Sequence, residues 1–309
     1  MLILVPYLAV AVFVVAVVAR WVKIARMPVH LRWELYPVAH EENRAYGGSF
    51  FEHLDWWKRR PEINRAGEIK VMMPEMLMLS GVRAYDRALW LRTYPFHLGL
   101  YLSAGFLGLL LVGGLLVAGV IPSREGLACP DEAVGPVLQT ATTLAGVAGM
   151  VLLGLGAFAL LLRRLKDPAL RAHSAPADFA NLIFFFGAAS LGLVTFVVVD
   201  RDFSILRGFV ATALTWGSGF DMPALVVAEI VVASALFAYI PLTHMSHFFT
   251  KWFMYHDIRW NDEVNRVGSP LEAAIGRQLA HKVSWNAPHI RGDGKKTWVD
   301  VATEEVGKS

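Results

Sequence analysis

Apolar positions are gathered into five long runs, roughly Leu2 to Ala19, Phe96 to Ile121, Val137 to Leu162, Phe179 to Val199 and Pro223 to Phe249. A hydrocarbon layer about 30 Å thick is crossed by about 20 such residues in helical conformation. The pattern predicts an all-α membrane protein, a five-transmembrane-helix bundle. The first run lacks the basic leader and the A-x-A site of a secretory signal and runs directly into Arg20, Lys23 and Arg26, so it is expected to stay as an anchor.

Composition agrees with the pattern. Of 309 residues, 55% are hydrophobic and 18% charged, with mean hydropathy +0.46, whereas a soluble domain carries about 25% charged residues. The net charge of +3 is too small and too dispersed to argue for nucleic acid, which is set aside as a partner in favour of the lipid bilayer. Lysine and arginine number 13 in residues 20–95, 1 in 122–136, 4 in 163–178, 2 in 200–221 and 9 after residue 250. Rich and poor segments alternate, so the positive-inside rule puts the N-terminus outside and the C-terminus in the cytoplasm. The expected location is a bacterial inner (cytoplasmic) membrane, multi-pass. The single cysteine, Cys129, excludes a disulfide framework, a Cys-ligated iron–sulfur cluster and a CxxCH haem attachment within this chain.

Two segments on the predicted cytoplasmic side exceed the length of ordinary connectors. The loop from Arg20 to Pro95 holds Trp33, Tyr36, Trp56, Trp57, Met72, Met73, Met76 and Met78, and the tail from Lys251 to Ser309 holds Trp252, Trp260, Trp285 and Trp298. Such apolar density suits packing on the membrane surface or on a partner. The expected organisation is a membrane domain over residues 1–250, including the loop, and a partner-docking tail over 251–309.

The candidate chemistry lies in the histidines. None of the ten falls in the outer half of the predicted spans, and His97, His244 and His247 sit near span ends, where ionisable residues are usually functional. His97 is five residues past Arg92 and His247 four before Lys251, which puts both about 6 to 7 Å inside the charge boundary at 1.5 Å per residue. Two imidazoles at one depth on different helices suit the axial ligation of a b-type haem; the same residues can equally serve as interfacial anchors. Gly99, Gly105, Gly108, Gly113 and Gly114 leave room on the second span for a flat macrocycle or for close helix packing.

The runs Phe96-His97-Leu98-Gly99 and Ile240-Pro241-Leu242-Thr243-His244-Met245-Ser246-His247 resemble the cytochrome b (gamma) subunit of respiratory nitrate reductase. Arg32-Trp33-Glu34-Leu35-Tyr36-Pro37 and the tail from Lys296 to Glu305 are more similar to the membrane subunits of heterodisulfide-reductase-like complexes (Dsr and Tmc type) of sulfate reducers. The resemblance extends over all five spans. It implies His97 and His247 as iron ligands. It also implies menaquinone as the exchangeable substrate and a cytoplasmic iron–sulfur subunit of heterodisulfide-reductase type as partner, with a periplasmic cytochrome c or further membrane subunits as possible additions. Where the nitrate-reductase subunit carries its second ligand pair this chain has Leu107 and Glu229, so one haem b per chain is expected.

The implied role is electron transfer within a quinone-linked oxidoreductase complex of anaerobic respiration such as sulfate reduction, rather than free-standing catalysis. A haem-free membrane anchor or scaffold is the alternative. His244 is an alternative ligand or a quinone contact, and Arg92, Lys251 and Arg259 are candidate partners of haem propionates. Glu229, eighteen residues before His247, shares its face on a continuous helix about 27 Å away and is a proton-relay candidate. His281 and His289 are read as interface residues.

Overall fold

The structure is a computed structural model that describes residues 2–27, 54–55, 58, 65–120, 135–217, 221–256, 267–287 and 290–304. Arg259, Cys129, His30, His40, His53, His289, Trp33, Tyr36, Trp56, Trp57 and Trp260 lie outside the described residues. The helices of the first half are α1 (Leu4–Ala25), α2 (Arg65–Leu77), α3 (Ser80–Tyr85), α4 (Arg87–Val117) and α5 (Gly135–Lys166). There follow α6 (Pro168–Ala172), α7 (Pro176–Val198), α8 (Ser204–Leu214), α9 (Ala224–Tyr239), α10 (His247–Phe253) and α11 (Pro270–Leu279). A hairpin of β1 (Asn286–Ala287) and β2 (Ile290–Arg291) precedes α12 (Trp298–Thr303). Among the described residues five stretches are long and apolar enough to cross a membrane: α1, α4, α5, α7, and α9 extended to Leu242. The chain is a mostly helical, multi-pass membrane protein, and among the described residues that small hairpin is the only paired strand element.

The chain divides into two compact units, Met1–Ala16 with Met73–Met245, and Val17–Met72 with Ser246–Ser309. In the first, α4 and α5 pack through glycine. A Cβ on Gly99 would lie 2.7 Å from Leu153 Cα, one on Gly156 2.6 Å from Phe96 Cα, and one on Gly146 2.8 Å from the Phe106 ring. Partners later in α4 meet partners earlier in α5, so the two run antiparallel, at a separation that only missing side chains permit. Gly154 against Ala189 sets α7 beside α5, and Asn181, which accepts from the Tyr239 hydroxyl at 2.7 Å, sets α9 beside α7. Asp86 caps α4 by accepting from Leu89 N at 2.8 Å. Pro95 lies inside α4 without ending it, as neighbouring spans allow in membrane helices.

The segment between α7 and α9 was expected to be a plain loop, yet it folds into α8. Phe203, 1% exposed with φ +59°, turns the chain inward and packs its ring, tilted, against Phe106 and Phe196 at 4.6 and 5.1 Å. Asp200 caps the new helix, accepting from Ile205 N at 3.1 Å and Leu206 N at 3.0 Å. α8 then packs on the end of α4, Arg207 against Gly113 and Val210 against Gly114.

The fifth run is not the continuous helix to Phe249 that its hydropathy suggested. Pro241 lacks an N–H and crowds the preceding turn. α9 therefore gives way to two 3₁₀ turns, Ile240–Leu242 and His244–Ser246, separated by an extended Thr243 (φ −108°, ψ −177°). The crossing stretch ends at Leu242, and His247 opens α10. The shared face and 27 Å spacing expected of Glu229 and His247 lose the continuous helix on which they rested.

In the second unit the Trp21 ring of α1 packs, tilted, against Phe253 of α10 at 4.6 Å, and Arg20 Nη1 donates to Ser246 Oγ at 2.6 Å. The tail is folded: Val283 is 1% exposed, Trp285 meets Trp298 at 6.2 Å, and Trp298 N donates to the His281 carbonyl at 3.0 Å.

Candidate haem-binding and proton-handling residues

His97 sits on α4, between Phe96 and the close contact at Gly99. Its half-buried ring lies 5.6 Å from that of Phe96 and 6.5 Å from that of Tyr101. Nδ1 approaches the Thr93 carbonyl at 2.9 Å. A carbonyl only accepts, so Nδ1 is the donor in this bond. Metal-ligating histidines usually have their second nitrogen fixed in this way. The bond is not unique to this place, since His173 makes the same one to Ala169 at 2.8 Å in the turn after α6.

At 100° per residue His97, Ala104 and Gly108 lie within about 20° of one line along α4. A Cβ added at Gly105 or Gly108 would meet nothing within 4 Å among the described residues. The glycines therefore divide by role: Gly99, Gly113 and Gly114 are filled by α5 or α8, which corrects the reading of them as room for a macrocycle, whereas Gly105 and Gly108 face open space. Beside His97, Tyr101 donates to the Met76 carbonyl at 2.6 Å and Trp90 Nε1 to the Met78 carbonyl at 2.8 Å. The end of α2 thus packs along the His97 stretch. In that part of the long first loop the methionines cover α4.

The other motif reaches the same region. Phe96, Leu153, Ala157, Leu182, Phe185, Ala189 and Leu236 form one apolar cluster, and Ile240 and Met245 pack on it. Phe96 precedes His97 and Met245 follows His244, so both sequence motifs are anchored on one cluster of the first unit. His244 is exposed and its Nε2 lies 3.6 Å from Asp178 Oδ1. Asp178 Oδ2 meets Arg164 Nη1 at 3.5 Å and accepts from Ala175 N at 3.0 Å. His247, in the second unit, is exposed at the start of α10 and its carbonyl accepts from Thr250 Oγ1 at 3.0 Å. Arg92 Nη1 folds back on the Ala88 carbonyl at 2.8 Å, and Lys251 is half-buried in the last turn of α10.

Glu229 points into the first unit. Its Oε1 would lie 3.3 Å from a Cβ on Gly192 of α7, beside the sulfur of Met150 of α5. Its Oε2 is buried without a hydrogen-bond partner among the described residues. Sequence reasoning missed the buried polar group nearby, in which Arg207, 3% exposed, donates to Gln139 Oε1 and to the Asp202 carbonyl at 3.2 Å. An arginine inside an otherwise apolar eleven-residue stretch was its available signal. Among the described residues no group of three or more His, Cys, Asp or Glu side chains is arranged to hold a metal ion. No protein-family model matches the chain, and a search of curated proteins finds no match.

Proposed function

We propose that the chain is the cytochrome b subunit of a membrane quinone-linked complex, passing electrons between menaquinone and a cytoplasmic iron–sulfur subunit of heterodisulfide-reductase type. The supporting observation is the setting of His97. Its Nδ1 donates to the Thr93 carbonyl, and α4 beyond it is open at Gly108 among the described residues. That donor chemistry fits an axial imidazole. His97 and His247 would hold a single haem b, which when bound supplies one-electron redox chemistry. Thr93 orients the His97 ring, and Phe96 and Met245, which flank His97 and His244, belong to one apolar cluster of the first unit.

His247 is taken over His244 as the second ligand because the Pro-anchored motif of the resembling family aligns there. Arg92, Lys251 and Arg259 are proposed for the propionates. Glu229 is proposed as a proton-handling residue rather than a ligand, and the tail over residues 251–309 as the partner-docking surface.

The reduced-minus-oxidised spectrum of the purified full chain tests the reading. A b-type difference band is expected, lost in His97→Ala and in His247→Ala and kept in His244→Ala. A chain that purifies with no haem band leaves a membrane anchor, and a band that survives His247→Ala but not His244→Ala reverses the ligand assignment.

A further inference from the structure

Charge is divided unequally between the two ends of the first unit. Residues 83–92 and 163–178, around the start of α4 and the link from α5 to α7, carry seven lysines and arginines against three aspartates. Residues 118–134 and 199–222, which follow α4 and link α7 to α9, carry three such cations against six carboxylates. The aspartates of the basic end are already engaged. Asp86 accepts from Leu89 N and lies 3.6 Å from Arg163. Asp167 accepts from the amides of Ala169 and Leu170, and Asp178 accepts from Ala175 N and meets Arg164. Arg87, Lys166 and Arg171 are left exposed and make no hydrogen bond or ion pair among the described residues.

The helix register sets the depth of these cations. α5 is apolar through Leu160, Leu161 and Leu162 and turns basic at Arg163, which marks the edge of its hydrocarbon-crossing part. Gly99 packs against Leu153 and Gly156 against Phe96, and carried along the antiparallel pair this register brings Arg163 level with Leu89. Lys166 is three residues past that edge and Arg87 two, about 4.5 Å and about 3 Å at 1.5 Å per residue. The headgroup region adds about 5 to 7 Å to each side of the hydrocarbon, so both cations stand at the level of the lipid phosphates. Trp90, at the edge itself, stacks on Tyr94 at 4.8 Å, donates through Nε1 to the Met78 carbonyl, and has the Arg83 guanidinium 5.4 Å from its ring. An aromatic with an apolar body and a bonded polar tip is what this depth favours.

We infer that this end of the first unit is a docking surface for anionic phospholipid, whose phosphates are held by the uncompensated cations Arg87, Lys166 and Arg171. Arginine and lysine bind phosphate oxygens through charge-assisted hydrogen bonds. A zwitterionic headgroup brings its own ammonium among cations that lack counter-charges, whereas a headgroup of net negative charge supplies what the three aspartates do not. Leu91, exposed two residues inside the edge, offers apolar surface to the acyl chain below the phosphate. An acidic protein would use the charge but neither the depth nor that apolar flank, so lipid is the occupant both features favour. The surface goes beyond the electron-transfer reading and requires no haem; Arg92, on the same stretch of α4, is left to its proposed propionate role.

The test reconstitutes the full-length chain in vesicles of equal phosphatidylcholine and phosphatidylglycerol, re-extracts it in mild detergent, and quantifies by class the phospholipid retained per chain. A basic residue close to an anionic lipid surface is worth about fivefold in affinity, so the wild type should retain at least about five times as much phosphatidylglycerol as phosphatidylcholine. Arg87→Gln, Lys166→Gln and Arg171→Gln together should lower that ratio by about fivefold or more. Arg87→Lys, Lys166→Arg and Arg171→Lys together keep the charge and should keep the ratio, as should Arg201→Gln at the acidic end. An even ratio in the wild type would overturn the proposal and leave the cations to an acidic protein surface. A ratio unmoved by the three glutamines, or lowered as much by the charge-keeping set or by Arg201→Gln, would overturn it as well. Retained lipid is measured without reference to haem, so this inference and the cytochrome reading fail separately.

Discussion

At the α8 end of the first unit Asp200 and Arg207 are 2% and 3% exposed, and their hydrogen bonds go to helix amides, to Gln139 and to a backbone carbonyl. At the opposite end Asp178 meets Arg164 and His244, with side-chain exposures of 21%, 33% and 62%. The residue types are alike and the geometry is comparable, yet the energetic weight differs because water competes at one end and is excluded at the other. Buried charges are expensive to strand, whereas exposed pairs are screened and gain little. The α8 end therefore holds polar groups as part of its fold, and the Asp178 end holds them as a solvated collar next to the His244 segment.

The strongest way to break this contrast is Arg207→Ala. It empties the space against Gly113 and leaves Gln139 Oε1 without its donor. A loss of about 1 to 3 kcal/mol is expected from leaving buried acceptors unsatisfied, read as a clear drop in thermal unfolding midpoint in detergent. Arg207→Met, which keeps most of the volume, should recover part of that loss. A wild-type midpoint in Arg207→Ala would mean that the buried group carries no weight.

Asp178→Asn is the matching change at the other end. It removes the charge seen by Arg164 and His244 but keeps an oxygen for Ala175 N. A cost of about 1 kcal/mol or less is expected, shrinking further at high salt. A loss as large as that of Arg207→Ala would show that the collar is shielded from water.

The smallest effect is expected in the tail, where Asp300 is wholly exposed. The Thr297 amide and hydroxyl both donate to it at 2.8 Å and hold its carboxyl below the ordinary value of 3.8. A depressed folded-state pKa gives stability that is present above the unfolded value and is lost as pH falls through the folded one. Amide hydrogen exchange across Trp298–Thr303 should therefore rise as pH drops below about 4, after correction for the intrinsic rate. The corrected rise should be absent in Asp300→Asn; a pH-independent rate in the wild type would remove the cap from the account.

The membrane class and the five crossing stretches were legible in the sequence because apolar length alone decides them: a run long enough to cross must bury its backbone bonds within itself. The break at Pro241 was also written there, since a ring without an N–H disrupts a helix whatever surrounds it, but the run of apolar residues on either side obscured it. α8 was hidden for a related reason. Its eleven residues are too short to cross, and whether they lie in solvent or turn inward depends on Phe203 finding Phe106 nearly a hundred positions away. The glycines of α4 look alike in the sequence. Only the facing helix separates Gly99, where a side chain would strike α5, from Gly108, where one would strike nothing. The candidate site divides in the same way: His97, His247 and Glu229 stand out by being ionisable in or beside apolar runs, while the Thr93 bond and the Asp178 partner of His244 exist only once the helices are in place. Hydropathy is a property of a segment and can be read along the chain, whereas a hydrogen bond or a close approach belongs to a pair of surfaces and is settled when the chain brings them together.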